Sequence, residues 1–337
     1  MSGHILEIQN LRTDFSIAGG IVRAVRGIDL FVDRGEFLGV VGESGCGKSV
    51  TMLSVMRLLS ENATVRADRL AFDGRDLLRL DHKKMRRMLG DEIGMIFQDP
   101  MTSLDPLYTI GNQIMEPLKI HRKMSGHEAR KRAVEMLDLV GIPSPEQRLK
   151  QYPHEFSGGM RQRVMIAIAM SCNPKLLIAD EPTTALDVTI QAQILELMKD
   201  MQEKFSAATL LITHDLGVIA STCSRVVVMY GGLIMESGDV EDIFYRPAHP
   251  YTIGLLSSIS DAADTGKKKL SPIPGSPPDL MNPPRGCPFT ARCDFAMRIC
   301  AASRPALAET VPGSGHGVAC WLRDTRAKLD GTGVTAR

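Results

Sequence analysis

The sequence lacks long hydrophobic runs. No segment of its 337 residues approaches the roughly 18 to 20 consecutive apolar residues that a membrane-spanning helix needs. The N-terminal segment also lacks the basic start, the apolar stretch and the small-residue cleavage site of a secretory signal. We therefore expect a protein of the cytoplasmic compartment.

The sequence also lacks an excess of either charge. It contains 40 Lys and Arg residues and 39 Asp and Glu residues, so the formal net charge is +1. Proteins whose main partner is nucleic acid usually carry a strong basic field. The short basic runs at 83–87 and 267–269 are more typical of solvated faces. Nucleic acid is therefore not predicted as a partner.

A glycine-rich run follows an apolar segment, Phe37–Val41, that is typical of a buried strand, and it precedes a helical pattern over 49–59. The run GESGCGKS matches the phosphate-loop motif, in which backbone N–H groups surround the phosphates of a nucleoside triphosphate. The lysine of this motif reaches the β and γ phosphates and the last hydroxyl binds magnesium. A tight strand-to-helix turn without a ligand is the alternative. The predicted nucleotide-binding residues are Gly42, Ser44, Gly45, Cys46, Gly47, Lys48, Ser49 and Val50.

Two more segments support nucleotide binding. The apolar run 176–179 ends in Asp180, placed to hold the water shell of magnesium, and in Glu181, placed to orient and deprotonate an attacking water. The run SGGMRQ at 157–162 opens a helical stretch with glycines, which makes a second helix N-terminus suited to an anion. One chain thus carries two phosphate-binding ends. The predicted binding residues at the second end are Ser157, Gly158, Gly159 and Gln162.

Together these motifs resemble the ATP-binding subunits of ABC transporters, over about residues 4–260, and the run 157–162 matches the signature motif of that family. The resemblance implies an α/β fold, a P-loop NTPase of ABC type with an inserted helical subdomain, and it implies ATP and Mg²⁺ as ligands. In that family the signature of one subunit closes over the nucleotide held by its partner. A single copy of each motif therefore implies a dimer with a homologous second ATPase subunit.

The resemblance also implies roles for isolated polar residues. Gln98 matches the glutamine loop, which touches magnesium and the attacking water, and His214 matches the switch histidine that contacts the γ-phosphate. Asp187, in the run ALD at 185–187, matches the loop that crosses the dimer interface. Phe15 resembles the aromatic residue that stacks on adenine, and a half-buried strand aromatic is the other interpretation. Taken singly, such residues are more often structural, and only the other motifs favour a catalytic role.

Strand-like apolar runs alternate with helical stretches in residues 1–98 and 172–245, which predicts a nucleotide-binding core built on a parallel sheet covered on both faces. Residues 99–171 show helical patterns and few strand signals, so we expect an inserted helical subdomain there. In the family this region receives a coupling helix from the membrane subunit.

Residues 246–337 are predicted to form a C-terminal extension. His249-Pro250-Tyr251-Thr252 opens a short helical stretch, and residues 271–284 contain six prolines, which is typical of an extended, semi-rigid strap.

The extension also carries four of the seven cysteines. A reducing compartment disfavours disulfides, and zinc sites usually show thiol pairs two residues apart, whereas these cysteines lie 6, 7 and 20 residues apart. Such wide spacing suits a [4Fe–4S] cluster, with zinc and unligated thiols as the alternatives. Nearby arginines would offset the charge of a cluster and aromatic residues would shield it. The predicted ligands are Cys287, Cys293, Cys300 and Cys320, the arginines are Arg285, Arg292, Arg298 and Arg323, and the aromatic residues are Phe289, Phe295 and Trp321.

The His-Pro-Tyr-Thr element, the proline strap and the run CPFTARC at 287–293 resemble the oligopeptide and dipeptide importer subfamily, whose members are reported with a cluster in this tail. The form FSGGMRQR at 156–163 resembles its D-type subunit. The resemblance implies an ATPase that drives uptake of di- or oligopeptides from the cytoplasmic face of the inner (plasma) membrane.

The partners that this resemblance implies are an F-type ATPase subunit, two transmembrane permease subunits and an extracytoplasmic substrate-binding protein. The alternative is a soluble ABC ATPase that acts on DNA or ribosomes. Such proteins usually carry two cassettes or a long coiled-coil insertion, and this sequence has neither.

Overall fold

A computed structural model of the chain describes the residues 3–184, 186–258 and 273–324. Ala185, the basic run 267–269 and the first two residues of the proline-rich segment therefore lie outside the described residues. The chain divides into two compact units. The first consists of Met1–Leu6, Phe31–Phe37 and Ala71–Ile212, and the second consists of Glu7–Leu30, Leu38–Leu70 and Thr213–Arg337. The predicted boundaries of core, helical subdomain and extension stay predictions.

Strands and helices alternate along much of the described chain. The strands are β1 His4–Ile17, β2 Gly20–Asp33, β3 Phe37–Val41, β4 Ala63–Arg66, β5 Arg69–Phe72, β6 Arg75–Asp76, β7 Ile93–Ile96, β8 Leu176–Asp180, β9 Ala208–Thr213, β10 Arg225–Tyr230, β11 Leu233–Asp239, β12 Ala308–Glu309 and β13 Gly317–Val318. The helices are α1 Lys48–Met56, α2 His82–Met88, α3 Pro100–Ser103, α4 Ile110–His121, α5 Gly126–Leu139, α6 Pro145–Arg148, α7 Gly158–Met170, α8 Val188–Phe205, α9 Leu216–Thr222, α10 Val240–Tyr245, α11 Pro250–Ser257 and α12 Arg298–Ala302. Single 3₁₀ turns span Pro153–Glu155, Thr290–Arg292 and Trp321–Arg323.

The first unit contains the parallel strands β7, β8 and β9. Ile96 lies opposite Ala179, and Asp180 lies opposite Ile212, so these strands end at one edge of the sheet. β8 is buried at every position, as expected for a parallel strand covered on both faces. Consequently, the residues that follow β7 and β8 are placed close together.

Helices fill residues 100–170 of the first unit. Ser125 begins α5 with a capping box in which the side chain of Glu128 closes the reciprocal hydrogen bond. α4, α5 and α7 pack on one another. The buried side chains of Leu118 and Ala129 contact Cys172, so this segment has its own small apolar cluster. None of the helices in the described ranges combines the length and the apolar character that crossing a membrane requires.

The second unit joins parallel and antiparallel strands. β3 and β10 are parallel, with Val40 opposite Val227, whereas β10 and β11 form an antiparallel hairpin around the turn 231–232. β11 continues to β13, which pairs with β12, both in antiparallel fashion. The extension thus adds two short strands to this sheet, and it covers the edge that β11 would otherwise expose.

The prediction of a parallel sheet for residues 1–98 is wrong for the N-terminal strands. β1 pairs with β4 in antiparallel fashion, and Phe15 lies opposite Ala63. β5 and β6 are also antiparallel and follow one another after a two-residue connection. Parallel strands that follow one another need a crossover of a dozen or more residues, and the short connection between β5 and β6 cannot supply one.

Candidate functional site

The phosphate loop connects β3 to α1 within the second unit. β3 is buried along its whole length, and Gly42 and Gly47 adopt backbone φ angles of +150° and +104°. A Cβ atom on Gly42 would lie 2.1 Å from the carbonyl oxygen of Met229, and one on Gly47 would lie 2.6 Å from that of Ala24. Both positions therefore require glycine, because the backbone conformation and the neighbouring main chain leave no room for a side chain.

Lys48 is held inside the loop. Its Nζ donates hydrogen bonds to the carbonyl oxygens of Gly42 (2.7 Å) and Glu43 (3.1 Å), and the side chain is buried. Burial raises the pKa of the neighbouring Cys46 thiol. The ammonium thus lies where a phosphate group enclosed by the loop would meet it. The other predicted loop residues are exposed or half-buried, namely Ser44, Gly45, Ser49 and Val50.

The first unit brings Gln98 and Glu181 together after β7 and β8. Gln98 Nε2 donates to Glu181 Oε2 at 3.1 Å, and Thr184 Oγ1 donates to the same oxygen at 2.9 Å. Glu181 adopts a left-handed backbone with φ of +48°, which is uncommon for a residue with a side chain. Its N–H donates to the carbonyl of Ile212, which holds this strained turn in place. Asp180 is buried beside it at the end of β8.

The predicted signature segment forms the start of α7. Ser157 is the N-cap, and its hydroxyl accepts the N–H of Met160 at 3.4 Å. Gly158 and Gly159 lie in the first turn, where N–H groups are free of helical partners. Gln162 is almost fully buried, and its Nε2 has no hydrogen-bond partner among the described residues. The helix N-terminus is thus accessible, whereas the glutamine points into the protein.

The remaining predicted nucleotide residues lie on separate elements. His214 is exposed directly after β9, and Phe15 is half-buried on β1. Asp187 is exposed and caps the N-terminus of α8, where its side chain accepts a main-chain N–H at 2.9 Å. Of the predicted interface loop, Ala185 lies outside the described residues.

The His-Pro-Tyr element is fixed by a buried carboxylate. Glu236 on β11 is inaccessible to solvent and accepts the main-chain N–H groups of Ala248 (2.6 Å) and His249 (2.9 Å). The same carboxylate contacts His316 Nε2 at 2.7 Å, which ties the extension to this strand. His249 caps α11 by accepting the N–H of Tyr251, and burial lowers its pKa to about 3, so its ring stays neutral.

The four cysteines of the extension surround one small cavity. Burial first, and then the other thiols of the group, raise the pKa of Cys287 to about 12 and that of Cys293 to about 11. Burial also raises the pKa of Cys320. Among the described residues, no three His, Cys, Asp or Glu side chains are arranged to hold a metal ion. The four thiols thus line one cavity.

Two of the three predicted shielding residues line this cavity. They are Phe295 and Trp321. Phe289 is buried elsewhere, against the rings of Tyr230 and Tyr251.

The prediction that Arg292 offsets the charge of a cluster is not supported by its contacts. Arg292 forms a bidentate ion pair with Glu43 of the phosphate loop, with N–O distances of 2.6 and 2.9 Å. The sequence alone assigned no role to Glu43, and Tyr251 was recognised only as part of the His-Pro-Tyr-Thr element. No local signal identifies these two residues, because the partners are 249 and 208 residues apart in sequence.

Comparison with known proteins agrees with the motifs. The family model "ABC transporter" matches residues 25–184, and the model "Oligopeptide/dipeptide transporter, C-terminal region" matches residues 235–300. The chain is 54% identical over 325 residues to "Dipeptide transport ATP-binding protein DppD" of Bacillus subtilis (strain 168), covering 96% of each chain. It is 50% identical over 309 residues to "Oligopeptide transport ATP-binding protein OppD" of Escherichia coli (strain K12), covering 92% of this chain and 91% of the relative.

Solved structures confirm the predicted cassette fold. The structure described as "Dimeric Structure of MJ0796, a Bacterial ABC Transporter Cassette" matches with a TM-score of 0.63 and 29% identity, covering 70% of this chain and 98% of that one. A dimeric post-hydrolysis state of the same cassette, bound to ADP and phosphate, matches with a TM-score of 0.62 and 28% identity over the same shares. Fold, motifs and full-length similarity thus agree. The chain belongs to the ATP-binding proteins of ABC transporters, in the oligopeptide and dipeptide transport family.

Proposed function

We propose that this chain is the ATP-hydrolysing subunit of an importer that takes up dipeptides or longer peptides. The observation that carries the proposal is 54% identity to a dipeptide transport ATP-binding protein across 96% of both chains. Similarity of this extent includes the extension as well as the cassette. The phosphate loop with its buried lysine supports the ATPase part of the proposal, since that geometry is suited to a triphosphate.

Each part of the site has a proposed role. Lys48 meets the phosphates, Glu181 acts as the general base, and His214 contacts the γ-phosphate. Phe15 stacks on adenine, and Asp187 approaches the partner's nucleotide. The residues that bind ATP through the loop are Gly42, Ser44, Gly45, Cys46, Gly47, Ser49 and Val50, and those that bind the partner's ATP are Ser157, Gly158 and Gly159. Gln162 is buried and takes no part in this contact, contrary to the sequence-based prediction.

The side chains proposed for magnesium offer the types of donor that this ion binds. They are Ser49, Gln98 and Asp180, which offer a hydroxyl, an amide oxygen and one carboxylate. Mg²⁺ commonly takes one or two carboxylates, keeps several waters and shares the phosphates of its substrate. A site of this kind needs no cluster of three acidic side chains. The bound ion would neutralise charge on the β and γ phosphates.

Glu181→Gln tests the catalytic assignment. The amide keeps an oxygen for the hydrogen bonds from Gln98 and Thr184, so the change removes the base and preserves the packing. We expect ATP binding to be retained and turnover to fall by about 10²- to 10⁴-fold, the scale of a lost general base. Glu196→Gln, at an exposed position of α8 in the same unit, is the control. Unchanged hydrolysis in the Glu181 variant would exclude this role.

The proposed assembly is a heterodimer with a second ATPase subunit, bound to two transmembrane permease subunits at the cytoplasmic face of the inner membrane. An extracytoplasmic binding protein would deliver the peptide. The similar solved cassettes are described as dimeric, which supports the paired ATPase arrangement. The motifs are also present in single copies, so each ATP needs a second chain.

Uptake of labelled di- and oligopeptides by proteoliposomes tests this assembly. The vesicles would contain the chain with its co-purified membrane subunits and binding protein, and the Glu181→Gln complex would serve as the matched inactive control. Peptide accumulation that requires ATP supports the proposal. ATP hydrolysis without uptake of either peptide class would contradict peptide import and leave the ATPase assignment intact.

We also propose that Cys287, Cys293, Cys300 and Cys320 hold a [4Fe–4S] cluster. A zinc ion needs four sulfurs within about 2.3 Å of one point. The thiolates of a cluster bind separate irons, so sulfurs distributed around a common cavity are the more suitable arrangement. The apolar surroundings that raise the thiol pKa values would also limit solvent access to a cluster.

Anaerobic purification followed by iron, acid-labile sulfide and zinc analysis tests the cysteine assignment. About four irons and four sulfides per chain, lost in Cys293→Ser, would support the cluster. Cys223→Ser, outside the cavity, is the matched control. One zinc per chain without sulfide would contradict the proposal.

A further inference from the structure

An acidic residue lies inside the phosphate loop. Glu43 follows the first glycine of the loop, and its side chain is 25% exposed. Its carboxylate is a negative charge in a loop that must bind a highly charged anion. The carboxylate and the bound phosphates would repel each other, because both are negatively charged. The main-chain carbonyl of Glu43 also accepts hydrogen bonds from Lys48 Nζ (3.1 Å) and from the N–H of Cys46 (3.3 Å). The position and the charge of Glu43 thus both affect the phosphate loop.

Arg292 of the extension neutralises this carboxylate. Its Nη1 and Nη2 atoms donate to the two carboxylate oxygens at 2.6 and 2.9 Å, and the arginine side chain is only 5% exposed. The other N–H groups donate to Tyr230 Oη (3.0 Å) and to the carbonyl oxygens of Ile273 (3.1 Å) and Pro274 (2.8 Å). All five guanidinium donors are therefore used, which fixes the orientation of the charge.

Tyr251 holds the backbone at the same position. Its hydroxyl accepts the N–H of Glu43 at 2.9 Å, and its ring is fully buried. The rings of Tyr230 and Phe289 pack against it, with centroid distances of 4.5 and 5.3 Å. A rigid aromatic group thus supports the loop from the side of the His-Pro-Tyr element.

The cysteines of the extension position Arg292. The turn Thr290–Arg292 lies between Cys287 and Cys293, and the hydroxyl proton of Thr290 is shared between the carbonyl oxygens of Cys287 (2.7 Å from Oγ1) and Cys300 (3.1 Å). The N–H of Cys287 also donates to the carbonyl of Cys300 at 2.7 Å. The segments that carry Cys287 and Cys300 therefore form one hydrogen-bonded structure with the turn that presents the arginine.

We infer that Arg292 is a positioning residue for the phosphate loop, through which the cysteine-bearing extension sets the affinity of the chain for ATP. The arginine cancels the charge of Glu43 and holds the loop residue whose carbonyl contacts Lys48. This inference rests on the proposed ATPase function. A purely structural role of Arg292 would affect the binding of every nucleotide equally. The inferred role instead requires an effect that depends on the charge of the nucleotide.

Equilibrium binding of ATP, ADP and adenosine to the purified full chain tests the inference. Arg292→Met leaves Glu43 unneutralised beside the loop, and we expect ATP to bind about tenfold more weakly, which corresponds to about 1.4 kcal/mol. The loss should be smaller for ADP and smallest for adenosine, because Coulomb repulsion scales with ligand charge. Adding Glu43→Gln to Arg292→Met should restore ATP affinity to within about threefold of wild type, since the unpaired charge is then absent.

His316→Gln is the matched control. It removes another buried contact between the extension and the sheet, at Glu236, and it does not touch the phosphate loop. We expect its ATP affinity to equal that of wild type. If Arg292→Met fails to fold, Arg292→Lys keeps the charge and Tyr251→Phe removes only the hydroxyl acceptor of the Glu43 N–H. The lysine variant should then bind ATP more tightly than the phenylalanine variant.

The outcomes distinguish a failure of the inference about Arg292 from a failure of the proposed ATPase function. Equal losses for ATP and adenosine, or a double variant as weak as Arg292→Met, would reduce Arg292 to a structural role and overturn the inference. ATP affinity unchanged in Arg292→Met would overturn it as well. A wild-type chain that binds no ATP would instead contradict the proposed function.

Discussion

The buried carboxylate of Glu236 offers a quantitative test of how the extension is attached. Glu236 accepts two main-chain N–H groups, from Ala248 and His249, and contacts the ring of His316. In Glu236→Gln, one carboxylate oxygen becomes an NH₂ group that can only donate. At least one of the three partners then faces a donor, with no solvent access to replace the lost acceptor.

The expected loss of stability follows from these contacts. A hydrogen bond to a charged group contributes about 1.5–3 kcal/mol, and a buried donor left unsatisfied costs about 1–3 kcal/mol. The two effects overlap, so we expect Glu236→Gln to lower the free energy of unfolding by about 2–4 kcal/mol. That is a large fraction of the roughly 5–15 kcal/mol that stabilises a typical protein.

Denaturant unfolding of the full chain would measure this loss, with Glu7→Gln as the control. Glu7 pairs with Arg69 in the same unit, but the arginine is 45% exposed, and such pairs contribute about 0–1 kcal/mol. Hydrogen exchange should also accelerate at the amides of Ala248 and His249 in the Glu236 variant. If Glu236→Gln destabilises the chain no more than Glu7→Gln, the argument from buried acceptors is wrong.

Two further predictions concern acid stability and the glycine loop. Hydrogen bonds from Lys175 and Arg34 lower the pKa of Asp73 from 3.8 to about 2. Because the folded pKa lies below the unfolded one, the ionised carboxylate stabilises the fold above about pH 4, and this contribution is lost as the pH falls toward 2. Asp73→Asn should remove this part of the acid dependence, and identical pH profiles of the unfolding midpoint would contradict the assignment. Gly42→Ala should abolish ATP binding and reduce the yield of folded protein, since the added Cβ would lie 2.1 Å from a carbonyl oxygen at a φ of +150°. Gly126→Ala, with open space around its Cβ, should bind ATP like wild type, and normal ATP affinity in the Gly42→Ala chain would refute the steric argument.

Local patterns were sufficient for several elements of the fold. The apolar run Phe37–Val41 is the strand β3 with the predicted bounds, because five buried apolar residues before a glycine-rich turn have few alternatives. The helix predicted over 49–59 ends earlier, at Met56, where Arg57 adopts a left-handed cap. The periodicity of apolar residues does not reveal such a cap, so helix ends are less well predicted than helices.

Local sequence patterns predicted less well whether strands pair in parallel or antiparallel fashion. The antiparallel pairing of β1 with β4 depends on which distant strand completes the sheet, and alternation along one strand contains no such information. The cysteines were predicted to act together because they cluster in sequence, and all four line one cavity, whereas their role as cluster ligands stays a prediction. Their neighbour Arg292 was expected for the same reason to offset the charge of a cluster, and the structure shows its ion pair with Glu43.

The sequence by itself determined the family, the phosphate loop, the signature helix and the polar residues after the strands, because short motifs encode local backbone geometry and the chemistry of a bound phosphate. Only the tertiary structure decided that Arg292 pairs with Glu43, that Tyr251 holds the same loop residue, and that Glu236 anchors the extension. These pairs join segments up to 249 residues apart. A buried charge takes whichever partner the folded chain places within hydrogen-bond distance, and that choice is made by packing rather than by neighbours in sequence.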